Sequence, residues 1–113
     1  MKVIDVYSQY FNAKAKFNDV PRKGARVFLT ATSDAGMIKY EISVTFFPYR
    51  DPEDFAVSYD AVFSKTIYEA KGRRSKKREA EYLKTFRDEM DALIAPEKAK
   101  IYWDKPIRDA VYG

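Results

Sequence analysis

From Arg26 to Phe46 apolar residues fall on every second position, and this alternation constrains the fold more than any other part of the chain. Val27, Leu29 and Ala31 alternate with Arg26, Phe28 and Thr30. Beyond "SDAG" (33–36), Ile38, Tyr40, Ile42, Val44 and Phe46 alternate with Lys39, Glu41, Ser43 and Thr45. A period of two puts one set of side chains on one face of a sheet. The turn residues between the two runs make them a hairpin. Closing it on Asp34-Ala35, or on all four turn residues, pairs Ala31 with Ile38, Leu29 with Tyr40 and Val27 with Ile42. Each apolar residue then meets an apolar partner, whereas an odd loop length would turn one strand's apolar set towards water.

The flanking segments supply the other elements. Val3, Val6, Tyr7, Tyr10 and Phe11 recur at helical spacing, which predicts a helix over 3–15. "NDVPRKG" (18–24) is a turn-rich connection. The segment 51–72 supports two readings. Asp51, Pro52, Glu53 and Asp54 would start a helix that Gly72 ends. Phe55, Val57, Tyr59, Ala61 and Phe63 alternate instead as a strand, with high β-branched and aromatic content. The strand reading is preferred over 55–70, broken near Ser64–Thr66. From Ser75 to Ala95, Tyr82, Leu83, Phe86, Met90, Leu93 and Ile94 form one helical stripe, with Ser75 as N-cap, Glu79 near its capping partner's place, and Pro96 as the stop. "KIYW" suits a short edge strand, and "DKPIRDAVYG" either tucks in or frays. The expected fold is α+β: one three-stranded antiparallel sheet with an N-terminal and a C-terminal helix packed on one face, in a single domain over 1–113.

Length and composition narrow the chemistry. A chain of 113 residues, 46% hydrophobic, has material for one core and little more. It contains no Cys and no His, which excludes disulfides, thiolate nucleophiles, His-ligated metals and the usual imidazole base. Asp88, Glu89 and Asp91 could suggest a metal site, but on one helix Asp88 and Asp91 point to the charged face, and Glu41 has no visible partner. No phosphate loop, nucleophile elbow or carboxylate pair is present. The expectation is a protein that is not an enzyme and needs no cofactor or metal. "MKVIDVYSQYF" carries Asp5 and Gln9 where a signal peptide would be apolar, and no run approaches a membrane span. A cytoplasmic location without a membrane partner follows as an expectation.

One stretch remains unexplained by folding alone. "KGRRSKKRE" (71–79) holds six cations, Lys71, Arg73, Arg74, Lys76, Lys77 and Arg78, at the head of the last helix. That end of a helix carries partial positive charge, which disfavours cations. The chain has 21 basic and 17 acidic residues; without these six cations 15 remain against 17, so the whole positive excess lies in this stretch. Such a cluster fits an anion bound at free backbone N–H groups. The candidate nucleic-acid-binding residues are therefore Lys71, Arg73, Arg74, Ser75, Lys76, Lys77 and Arg78, with Phe28 and Phe47 as possible stacking platforms. The partner would be nucleic acid of unspecified type or a nucleoprotein. The alternative is a protein-interaction module, such as a small mobile-element-encoded inhibitor or adaptor, whose turn meets an acidic protein surface.

The expected α-β-β-β-α order, with Gly72 and the Ser75-Lys76-Lys77 run opening the last helix, resembles double-stranded RNA-binding domains. The resemblance implies that these residues contact phosphates across the RNA major groove. The sequence departs from that family in its missing His, in Ala80 lying one position late, and in "REAEYLKTFRDEM" where the family's helix is rich in small residues.

Overall fold

The computed structural model describes residues 1–48 and 61–108. Within them lie five strands, β1 (Lys2–Phe17), β2 (Val20–Asp34), β3 (Met37–Phe47), β4 (Val62–Lys71) and β5 (Lys100–Ile101). One α-helix, α1 (Lys76–Ile94), runs into a short 3-10 turn at Ala95–Glu97. The strands form a single antiparallel sheet in the order β4-β3-β2-β1-β5. It curls about α1, whose Phe86, Met90 and Ile94 are buried in the same core as Val27, Leu29, Tyr40, Ile42 and Val44. Among the described residues no helix is long and apolar enough to cross a membrane.

This architecture corrects the expected three-stranded sheet with two helices. The segment expected as a helix over 3–15 is the longest strand, and a β-bulge explains the misleading pattern. Asp5 pairs with Thr30 and Tyr7 with Leu29, which leaves Val6 as an extra residue. Val6 and Tyr7 are therefore buried side by side, and the alternation then resumes at Gln9, Phe11, Ala13 and Ala15. One inserted residue shifts a period of two into spacings that imitate a helix. "NDVPRKG" is likewise mostly strand. Only Asn18 and Asp19 make the turn, both at positive φ (51° and 63°), which these two residue types tolerate. Because residues 2–17 form a strand where a helix was expected, and the described residues hold a single α-helix, the resemblance to double-stranded RNA-binding domains does not hold.

The β2–β3 hairpin keeps the expected faces in a different register. Leu29 opposes Ile42, Ala31 opposes Tyr40, Val27 opposes Val44, and Ile38 meets Ser33. Each partner is two residues from the expected one. The turn closes on Ala35-Gly36 rather than Asp34-Ala35, with φ of 49° and 78°. Positive φ at both positions is the pattern of the type I′ two-residue turn, and glycine supplies the second without strain. An even displacement returns every side chain to the same face, so the core set survives the slip.

β4 pairs with β3 along Val62–Lys71, with the irregularity expected near Ser64–Thr66 appearing as a bulge at Ile67, between the Tyr40–Tyr68 and Glu41–Thr66 pairs. The expected burial of Phe55, Val57 and Tyr59, and the capping signals at 51–54, lie outside the described residues. β5 closes the far edge by pairing Ala13 with Ile101 and Lys14 with Lys100. Beyond it Trp103 packs edge-on against Phe11, with ring centroids 4.8 Å apart, and against Phe86 at 6.3 Å. The chain then runs back beside β1. The Gln9 amide donates to the Pro106 carbonyl at 2.9 Å and accepts from the Arg108 N–H at 3.1 Å, while the Tyr7 hydroxyl donates to the same Gln9 oxygen at 2.6 Å.

Candidate functional site at the head of α1

Four residues connect β4 to α1, and three local devices fix their path. Gly72 sits at φ 137°, a conformation that side chains rarely adopt. Its N–H donates to the Gly36 carbonyl at 2.9 Å and so ties the basic turn to the β2–β3 turn. Ser75 is the N-cap, extended at φ −132° and ψ 115°, and its hydroxyl accepts the Arg78 N–H at 3.2 Å.

Glu79 departs from its expected part as capping partner. It is wholly buried and turns beneath the helix head towards the sheet. Arg74 grips it with two bonds, Nε to Oε2 at 3.0 Å and Nη2 to Oε1 at 2.9 Å. The Tyr40 hydroxyl donates to Oε2 at 2.6 Å and accepts the Ser75 N–H at 3.0 Å. A buried carboxylate without partners would be severely disfavoured. Here both oxygens are engaged, and the carboxylate lies at the positive end of the helix. Burial pushes the Tyr40 hydroxyl up to about 12, and its hydrogen bond to Glu79 adds to the rise. Burial also raises the neighbouring Tyr82 hydroxyl.

The six cations of the turn therefore divide. Arg74 is half-buried and committed to Glu79. Arg78 lies over the Tyr68 ring, 4.4 Å from its centroid. Lys71, Arg73, Lys76 and Lys77 are exposed. The buried carboxylate beneath the turn offsets one of the six charges, and the exposed cations sit where the helix backbone adds its own positive potential.

The other candidates fall elsewhere. Phe47 is buried at the end of β3 opposite Gly24, so its ring offers no open platform. Phe28 is half-buried in mid-β2 between Ser8 and Ser43. Neither lies beside the basic turn, since Lys71 pairs with Met37 at the far end of β3. Glu41 pairs with Lys39 at 3.3 Å, Glu89 with Lys65 at 3.3 Å, and Asp91 accepts the Trp103 indole N–H at 2.9 Å. Among the described residues no group of three or more acidic side chains is placed to hold a metal ion.

Sequence reasoning missed two features. The first is the Arg74–Glu79–Tyr40 support, whose only linear trace is a lone acid ending a cationic run. The second is another cationic cluster at the opposite end of α1, built from positions between 14 and 100 and without any linear signal. In comparisons with known proteins, the chain matches no family model, no curated protein and no solved structure.

Proposed function

We propose that this chain acts by binding rather than catalysis, and that Lys71, Arg73, Lys76 and Lys77 engage the phosphates of a nucleic acid. The observation that carries this reading is the division of labour within the turn. Arg74 and Ser75 are built into the fold, and the four exposed cations ride on that fixed frame at the positive end of α1. Preorganised cations lose less conformational freedom on contacting phosphate than cations on a mobile loop. Contacts of this kind position a polymer without selecting its sequence.

The test is binding of labelled duplex DNA, duplex RNA and single strands at about 50 and 200 mM salt, the range over which phosphate contacts lose most of their strength. The variant Lys71→Gln/Arg73→Gln/Lys76→Gln/Lys77→Gln should weaken binding and flatten its salt dependence by roughly 0.7–0.9 in log–log slope for each phosphate no longer neutralised. Equal binding by the variant and the wild type overturns the assignment of these residues. Failure of every nucleic acid to bind at the lower salt overturns the reading and points to an acidic protein surface.

A further inference from the structure

At the foot of α1 the ends of β1 and β2 meet β5, and a groove of about 690 Å³ opens between them. Its size lies within the range of ligand clefts. Lys14, Lys16, Arg22, Lys23, Lys98 and Lys100 line it, and among the described residues that line it there is no Asp or Glu. Five of these are exposed, while Arg22 is buried in the wall. Tyr102 completes the groove, 47% exposed, with the Lys100 ammonium 5.5 Å from its ring centroid. We propose that this groove is a second binding site, distinct from the basic turn, and that it takes single-stranded nucleic acid.

Three observations lead to this assignment. Lys14 stands directly opposite Lys100 across the β1–β5 pair, and like charges in that position destabilise a sheet. The two-residue strand β5 thus carries a repulsion that folding gains nothing from. A β-bulge also interrupts β1 here, between Asn12 and Ala15, and bulges at sheet edges re-aim side chains beside functional sites. Finally, the aromatic ring distinguishes the ligand. Inorganic phosphate or a duplex backbone needs only the cations, whereas an exposed ring beside a cationic groove suits unpaired bases that stack while their phosphates are neutralised. The helix dipole explains Lys98, which follows the negative end of α1. It does not explain Lys14, Lys16 and Lys23, which the other strands contribute.

The groove shares no residue with the basic turn, so either site can fail alone. The experiment uses a fluorescent twelve-residue thymidine strand, a hairpin duplex with equal phosphate number, and tripolyphosphate as competitor. Two variants of the groove are made, Lys14→Gln/Lys100→Gln and Tyr102→Ala, each also in a background with Lys71→Gln/Arg73→Gln/Lys77→Gln. The strand should still bind in that background, and Lys14→Gln/Lys100→Gln should reduce its affinity about tenfold or more, with a lower salt slope. Tyr102→Ala should weaken the strand roughly five- to hundredfold, the range of one stacked base, and leave competition by tripolyphosphate unchanged. Relief of the like-charge pair should hold or raise the thermal midpoint of Lys14→Gln/Lys100→Gln, which separates lost binding from lost folding. Undiminished strand binding by that variant overturns the site. A duplex that binds as tightly as the strand, with Tyr102→Ala without effect, overturns the ligand class. If strand binding disappears in the groove variants, and the turn substitutions leave the binding of both strand and duplex unchanged, the groove stands and the reading of the basic turn fails.

Discussion

Arg74 and Arg73 are adjacent cations with the same chemistry, and the fold gives them opposite meanings. Arg74 neutralises a buried carboxylate, whereas Arg73 is exposed. Arg74→Ala should destabilise the protein by about 3–5 kcal/mol, because Glu79 is left buried without its charge partner. Arg73→Ala should stay within about 0.5 kcal/mol of the wild type. Denaturant unfolding of the two variants checks this, and equal effects would refute the division. Tyr40 adds a pH signature. Its hydroxyl ionises near 10 in an unfolded chain and at about 12 in the fold, mainly through burial. The folded state thus holds the proton more tightly, so its contribution is complete below pH 10 and is lost as pH rises through 12. Tyr7, also pushed up to about 12 by burial, acts in the same direction. Unfolding midpoints measured between pH 9 and 12 should fall across that window, less steeply in Tyr40→Phe. Of this residue-scale detail the sequence disclosed the cap at Ser75 but not the inward turn of Glu79. A glutamate near an N-cap reads as a capping partner, and only the third dimension brings Tyr40 under it.

At the scale of elements, alternation was legible wherever a strand was unbroken. From Ala25 through β2, and along β3 as far as Phe46, the apolar set stays on one face and was readable. Residues 20–24 of β2, where Gly24 is buried beside Ala25, read as a turn. β1 was not readable, because Val6 is inserted into its pairing. The exact pairing of the hairpin also escaped, since it depended on a turn in which Ala35 adopts φ 49°. Alanine gives no sign of that conformation, which is disfavoured for a residue with a Cβ by about 1–2 kcal/mol. Ala35→Asn should therefore stabilise the hairpin by about 0.5–1 kcal/mol, since Asn-Gly is the preferred pair for such a turn. An unchanged or lowered thermal midpoint would show that the turn is not of this type. Leu29→Ala, opposite Ile42 in the fully buried part of the hairpin, should cost about 2–5 kcal/mol by equilibrium unfolding. A loss under 1 kcal/mol would place that pair outside the core.

For the whole molecule, the decisive pairings join distant parts of the chain, and no local pattern announces them. Ile101 meets Ala13, Trp103 meets Phe11, and the six cations of the groove come from three separate stretches. Charge counted along the sequence found only the cluster that is continuous in it. The same long-range closure has a mechanical consequence. The C-terminal segment lies antiparallel to β1, with Arg108 bonded to the Ser8 carbonyl and Ile101 beside Ala13. Tension applied at the two chain ends therefore enters this pair from one side. The bond at Arg108 bears the load first and the pairing at Ile101 last, so they open in succession, as a zip does, instead of sharing the force. In a force spectrometer with handles at the chain ends, residues 100–108 should peel away at low force before the remaining strands separate. A single rupture of the whole sheet would contradict this sequence of events.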